Sequence, residues 1–392
     1  MKGLFLLLHT VVCFGLNAQI KTGAERTDKY FELLQNKRIA VVANQTSLIG
    51  STHLVDSLIA LGIEIKTVFA PEHGFRGDQE AGVTIKNETD SKTGLPVVSL
   101  YGKNKKPQPS QLDSIEIVVF DIQDVGVRFY TYISTMHYVM EACAEKGIPL
   151  IVLDRPNPNS NYIDGPILDT AYRSFVGMHP VPVVYGMSIG EYAKMINGEK
   201  WLKGGIKCDL TVIPCTGYTH ETPYVLPVKP SPNLPNSRAV SLYPTLCFFE
   251  GTALSVGRGT DLPFQVVGHP LLKGKTNENF SFTPVSATGG GFIVQAGNTC
   301  YGYNFSKSGM LEKEKWIDTI PGIKIELFID LYNRFPEKNN FFGKDLFFDK
   351  LAGNSTLRKD IIAGKNATEI RSEWKKDLDE FKKIRQKYLL YY

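Results

Sequence analysis

The chain has 392 residues, of which 43% are hydrophobic, a length that suits two domains of ordinary size, each burying its own apolar layer. Lys and Arg number 44 against 40 Asp and Glu, a net charge of +4 with both signs scattered, which excludes a basic face for nucleic acid. No stretch approaches the roughly 20 consecutive apolar residues of a membrane-spanning helix, so membrane insertion is excluded as well.

Met1-Lys2, an apolar run from Leu4 to Leu16 and the small Ala18 before Gln19 read as a signal peptide over residues 1–18. The expectation is an exported protein, periplasmic or secreted. Cys13 does not make a lipobox, because Val12 before it is too bulky and the apolar run continues past it. Losing Lys2 takes the charge from +4 to +3. Of six cysteines, Cys143, Cys208, Cys215, Cys247 and Cys300 remain, without CxxC spacing, and read as small buried hydrophobes. Cys208 and Cys215 end an extended run about 23 Å long, so they cannot bond each other.

From Arg38 to Asn157 short β-branched runs alternate with amphipathic stretches. Strands are expected at Ile39–Ala43, Ile63–Phe69, Leu95–Leu100, Ile115–Phe120 and Pro149–Leu153, as near-continuous apolar runs typical of parallel strands covered on both faces. Leu54, Val55, Leu58, Ile59 and Leu61 share one helical face, and Ile133, Met136, Met140 and Cys143 share another, ahead of the stop signal Lys146-Gly147. The pattern predicts an α/β domain with a doubly wound parallel sheet over 19–160. Such sheets bind ligands outside the carboxyl ends of their strands. After Pro158 prolines and glycines are frequent and strands shorter, so 161–392 is expected to be a second, mixed α+β domain. It ends in a helix on which Ile370, Trp374, Leu378, Phe381, Ile384 and Tyr388 recur at three and four.

The chemistry-bearing residues follow the strands of the first domain. Asn44 follows the first, Glu72 and His73 the second, Asp121, Asp124 and Arg128 the fourth, and Asp154 and Arg155 the fifth. In the predicted topology these converge on one crevice. Each has a structural alternative: an exposed carboxylate for Glu72, a backbone contact for His73, helix capping for Asp121 and Asp124, and a local ion pair for Asp154 with Arg155. No two-histidine spacing suggests a metal, and no GxGxxG follows the first strand, so no cofactor is expected.

Gly186-Met-Ser188-Ile-Gly190 matches GxSxG between a strand-like and a helical run, the setting of a hydrolase nucleophile. Ser188 and Glu191 equally form the S-x-x-E of a helix capping box, and the structural reading is preferred. A serine acyl hydrolase using Ser188 stands as a competing function.

Four long motifs in order, Pro71-Glu-His-Gly-Phe-Arg-Gly77, Phe120-Asp-Ile-Gln-Asp-Val-Gly-Val-Arg-Phe-Tyr-Thr-Tyr132, Asp154-Arg-Pro-Asn-Pro158 and Phe249-Glu-Gly-Thr-Ala-Leu-Ser-Val-Gly-Arg-Gly-Thr260, resemble the NamZ family of exo-β-N-acetylmuramidases. The match runs from about Arg38 to the C-terminus, with Tyr243-Pro-Thr245 departing from the expected glycine after proline. The resemblance implies a Rossmann-like domain joined to a smaller mixed domain, with the active site in the cleft between them. It implies release of N-acetylmuramic acid from the non-reducing end of peptidoglycan fragments. The partners would be muramoyl saccharides, and a non-catalytic cell-wall-binding protein is the further alternative.

The resemblance also points to Glu72 as the key carboxylate, which suits a general acid delivering a proton to the glycosidic oxygen. Asp121 and Asp124 are the candidates for the second catalytic group, as nucleophile, as base, or orienting the substrate's own 2-acetamido group. The lactyl carboxylate of muramic acid suits a guanidinium, and Arg128, Arg155 and Arg258 are candidates, Arg128 first. Arg76 and His73 in the first motif, Asn44, Asp154 and Glu250 complete the expected substrate contacts. Tyr130, Tyr132 and Phe249 are candidates for stacking on sugar rings.

Overall fold

The computed structural model describes residues 19–76, 88–276, 280–286, 292–307 and 322–392. The leader expected over residues 1–18 lies outside them. All five expected strands form: β1 (Arg38–Ala43), β2 (Glu64–Ala70), β4 (Pro96–Ser99), β5 (Ile117–Asp121) and β6 (Leu150–Leu153). A two-residue β3 (Glu88–Thr89) and the short β7 (Leu210–Ile213) extend the sheet at either edge to the order β3-β4-β2-β1-β5-β6-β7. Every pairing is parallel except that of β3 with β4. The order reverses direction between β1 and β5, as in doubly wound nucleotide-binding sheets, and opens a crevice beyond their carboxyl ends.

Alternate residues of each strand feed two cores. Ile39, Val41, Val68, Val119 and Leu153 pack under α1 (Leu54–Ala60), while Ala40, Val42, Phe69, Val118, Phe120 and Val152 pack under α2 (Tyr132–Lys146) and α3 (Ile189–Gly198). Burial on both faces is why the strands read as continuous apolar runs. Gly147 closes α2 in the left-handed conformation at φ 66°.

The sheet does not stop at the boundary expected near residue 160. After β6 the chain crosses by α3 and returns as β7, a further parallel partner of β6 in register from Leu150 with Leu210 to Leu153 with Ile213. Beyond it, α4 (Ser237–Leu246) leads into a smaller unit. There β8 (Val266–His269), β9 (Ser281–Phe282) and β10 (Cys300–Asn304) form an antiparallel sheet in the order β8-β10-β9. Helices α5 (Ile325–Arg334), α6 (Phe347–Ala352), α7 (Thr356–Ile362) and α8 (Ala367–Gln386) complete it. Phe248, Phe249, Phe328 and Phe348 form its aromatic centre. Gly251 is required there, since a Cβ would lie 2.3 Å from the backbone nitrogen of Phe348.

The residues after α8 return to the first sheet. Glu191 Oε1 accepts the backbone N–H of Leu390 at 2.6 Å, and the Tyr391 hydroxyl donates to Asp154 Oδ2 at 2.5 Å. All five cysteines of the described region are free and buried. Among the described residues no helix is long and apolar enough to cross a membrane.

Candidate functional site

A cleft of about 820 Å³ lies between the carboxyl end of the parallel sheet and the smaller unit. Its first wall carries Glu72, His73, Tyr101, Lys105, Tyr130 and Thr131; the second carries Tyr243, Glu250, Arg258 and Phe264; the 231–234 loop, with Ser231, Asn233 and Leu234, bridges them.

Glu72 stands in the turn that follows β2. Pro71 O accepts from Gly74 N at 3.1 Å, and both His73 (φ 73°) and Gly74 (φ 80°) are left-handed. A left-handed histidine is strained, and such strain persists where the surroundings fix a side chain for a task. The Glu72 carboxyl is held by Thr131, whose hydroxyl donates to Oε2 at 2.8 Å. Thr131 occupies the N-cap of α2 and makes no side-chain cap bond there. The residue type that usually satisfies a helix's first N–H groups is here turned toward a carboxylate, and Glu72 therefore lies beside the positive end of a 15-residue helix. Burial first, and then the Glu72 carboxylate, push the Tyr101 phenol above the usual range.

Behind Glu72 stands a buried hydroxyl and amide network. The Tyr132 hydroxyl accepts from Asn44 Nδ2 at 2.9 Å and reaches Pro230 O at 3.1 Å, and Asn44 Oδ1 accepts from Thr46 N at 2.9 Å. Asn44 is fully buried and Tyr132 nearly so. Both brace the cleft floor and do not reach the cleft as substrate contacts. Tyr130 lines the cleft but its hydroxyl donates to Pro230 O at 2.8 Å, and Phe249 lies in the aromatic core against Phe328.

Several residues expected in the crevice are enclosed instead. Asp121 and Arg155 form a bidentate pair at 2.6 and 2.9 Å, both buried, and Arg155 also donates to Leu48 O at 3.0 Å. Asp124 accepts from Gly126 N at 2.7 Å and from Tyr185 Oη; burial pushes its carboxyl up to about 6. Neither aspartate caps α2, which begins eight or more residues later. Asp154 accepts from Arg155 N, Gly190 N, Ser188 Oγ and Tyr391 Oη; burial pushes it up to about 6, against the hydroxyl bonds that lower it.

Arg128, the arginine favoured for the lactyl group, points away from the cleft. It is fully buried, Nη1 donating to Pro166 O at 2.7 Å and Val181 O at 2.6 Å, and Nη2 to Leu351 O at 2.9 Å and Ala352 O at 2.7 Å. Arg76 pairs with Asp90 at 2.8 Å and lies over the Phe75 ring, outside the cleft wall. Ser188 is fully buried at the start of α3, where its Oγ accepts from Glu191 N and donates to Asp154, so the capping box forms and no substrate can reach the hydroxyl.

The cleft keeps two carboxylates of the expected set, Glu72 and Glu250. Glu250 Oε1 pairs with Arg258 Nη1 at 2.7 Å. Burial first, then Cys247 and Glu250, and lastly Glu72 push the phenol of Tyr243 on the cleft wall well up. Tyr101 and Lys105 were missed. They follow β4 as Glu72 follows β2, so the strand-end rule applied to the third expected strand would have found them.

Residues 39–238 match the family model for the N-terminal part of the exo-β-N-acetylmuramidase NamZ, and 241–391 the model for its C-terminal part. The chain is 39% identical to the peptidoglycan β-N-acetylmuramidase NamZ of Bacillus subtilis (strain 168), over 95% of this chain and 92% of that protein. Two crystal structures of DUF1343 family proteins from Bacteroides fragilis are similar over 95% of this chain and 99% of theirs. One has 46% identity and a TM-score of 0.85, the other 30% and 0.80.

Proposed function

The chain belongs to the NamZ exo-β-N-acetylmuramidase family, and from that membership and the cleft we propose that it is a glycosidase releasing N-acetylmuramic acid from the non-reducing end of peptidoglycan fragments. The observation that carries the reading is the Glu72 carboxyl, presented at the cleft wall with the Thr131 hydroxyl fixing its direction. A carboxyl so held can give its proton to the glycosidic oxygen as the bond breaks. Glu250, the second carboxylate of the expected set on the cleft wall, is our candidate to assist attack at the anomeric carbon, on water or by orienting the 2-acetamido group.

We further propose that the protein is exported and acts in the periplasm or outside the cell, on the strength of the leader-like first 18 residues. The test uses protein recovered from the periplasm, with its N-terminus sequenced; a start other than near Gln19 would count against export by this leader. That protein is incubated with a chromogenic β-N-acetylmuramide, the matching β-N-acetylglucosaminide and an acyl ester. Release from the muramide alone, lost in Glu72→Gln by at least about a hundredfold, is expected. Ester cleavage indifferent to Glu72 would overturn the reading, and no turnover on any substrate would favour a wall-binding protein.

A further inference from the structure

Muramic acid differs from glucosamine by a lactyl ether that ends in a carboxylate, so a muramidase that discriminates must offer that anion a cation. The arginines that first suggest themselves are occupied: Arg128 by four carbonyls and Arg155 by Asp121, both buried. Two side-chain cations line the cleft among its described residues, Arg258 and Lys105. Arg258 is paired with Glu250 at 2.7 Å. Lys105 makes no ion pair with any described residue; its ammonium rests 4.6 Å from the centroid of the Phe175 ring.

A ring face offers an ammonium electrostatic attraction but accepts none of its N–H groups in a strong bond. Lys105 is half-buried, so part of its hydration is lost without a carboxylate in return. An anion arriving in the cleft would find that charge uncompensated and three donors available. The position suits the reacting sugar. Phe175 contacts Tyr101 at 6.2 Å between ring centroids, and Tyr101 lines the same cleft as Glu72. Lys105 thus stands two rings away from the acid, in the same cleft. A point charge on a flexible stem also fits a carboxylate carried on a rotatable ether better than a planar fork does.

We propose that Lys105 binds the lactyl carboxylate of the muramoyl residue and is the side chain that selects muramides over glucosaminides. This rests on the muramidase reading of the Glu72 cleft, and the experiment separates the two. Free N-acetylmuramic acid and its methyl ester are titrated by calorimetry into wild type, Lys105→Met, which keeps a stem over Phe175, and Lys105→Arg. Turnover of the chromogenic muramide is measured on the same samples. Wild type should bind the acid roughly ten- to a hundredfold more tightly than the ester. Lys105→Met should lose that preference with the ester unaffected, its turnover loss appearing in KM, and Lys105→Arg should restore most of it. Wild type that does not distinguish acid from ester, or Lys105→Met that distinguishes them as wild type does, overturns the proposal. Carboxylate-selective binding lost in Lys105→Met, without turnover in any variant, would uphold it and sink the muramidase reading alone.

Discussion

Replacing Arg128 by Met separates a substrate-binding guanidinium from a structural one. The substitution keeps an unbranched apolar stem in the buried site but removes both donors that reach four backbone carbonyls at 2.6–2.9 Å. A buried acceptor left without a partner costs about 1–3 kcal/mol, so four at the low end give about 4 kcal/mol. That is a large share of the 5–15 kcal/mol typical of a whole fold. Burial pushes the guanidinium down to about 9, which leaves it cationic at neutral pH, so the bonds at stake are charge-assisted. Urea unfolding followed by tryptophan fluorescence should give a lower midpoint at unchanged slope. Arg128→Lys should fall between, because one ammonium cannot span carbonyls contributed by three separate segments. The folded fraction of Arg128→Met should keep the wild-type KM for the muramide. Wild-type stability with a raised KM would refute the reasoning, since the guanidinium would then have to face the substrate.

Ser188→Ala should cost about 2–4 kcal/mol, the helix cap together with the bond to buried Asp154. Turnover of the folded enzyme should be unchanged; lost turnover at full stability would revive the serine as a nucleophile. His137 supplies a pH test. Burial pushes its imidazole down to about 4, with Glu141 opposing and Arg173 and Lys106 reinforcing, and His179 beside it, 2.9 Å away, is lowered too. Between the ordinary 6.5 and about 4 the folded chain holds fewer protons than the unfolded one. The stability from the neutral ring is therefore complete above 6.5 and lost as pH falls to about 4, by about 3 kcal/mol. The stability advantage of wild type over His137→Gln, from urea titrations at pH 7.5 and pH 4.5, should shrink by about that much. A pH-independent difference would show that the ring takes up its proton as readily in the fold as in the unfolded chain.

The strands were legible because burial on both faces leaves an unbroken apolar run, as in Ile117–Phe120 and Leu150–Leu153. β7 was legible only as an extended run between Cys208 and Cys215 and not as a member of the sheet, because it is a four-residue edge strand with exposed Thr211 and half-exposed Leu210, and lacks that signature. The strand-end rule brought out Glu72 and also selected Asp121, Asp124, Asp154 and Arg155. Position after a strand fixes which edge of the sheet a residue occupies, but not whether its side chain turns to the crevice or to a neighbouring loop. Asp154 was hardest to read. Its partners Ser188, Gly190 and Tyr391 come from segments whose approach no local pattern records. Arg258 and Glu250 were legible only through a motif, yet they meet Glu72's cleft from the opposite wall.

The return of residues 390–391 to the first sheet bears on how the chain acquires its fold. The hydroxyl that donates to Asp154 comes from 237 positions downstream, and the N–H of Leu390 reaches Glu191 across 199. Contacts of that separation form late, because the intervening chain must be ordered before they repay its entropy. A growing chain with only its first 238 residues available would hold all seven strands of the sheet, but Asp154 would lack its Tyr391 donor and Glu191 its Leu390 donor. The junction between the two family segments is thus a poor place to cut for expression, and a protease acting there would release a piece that has not finished folding.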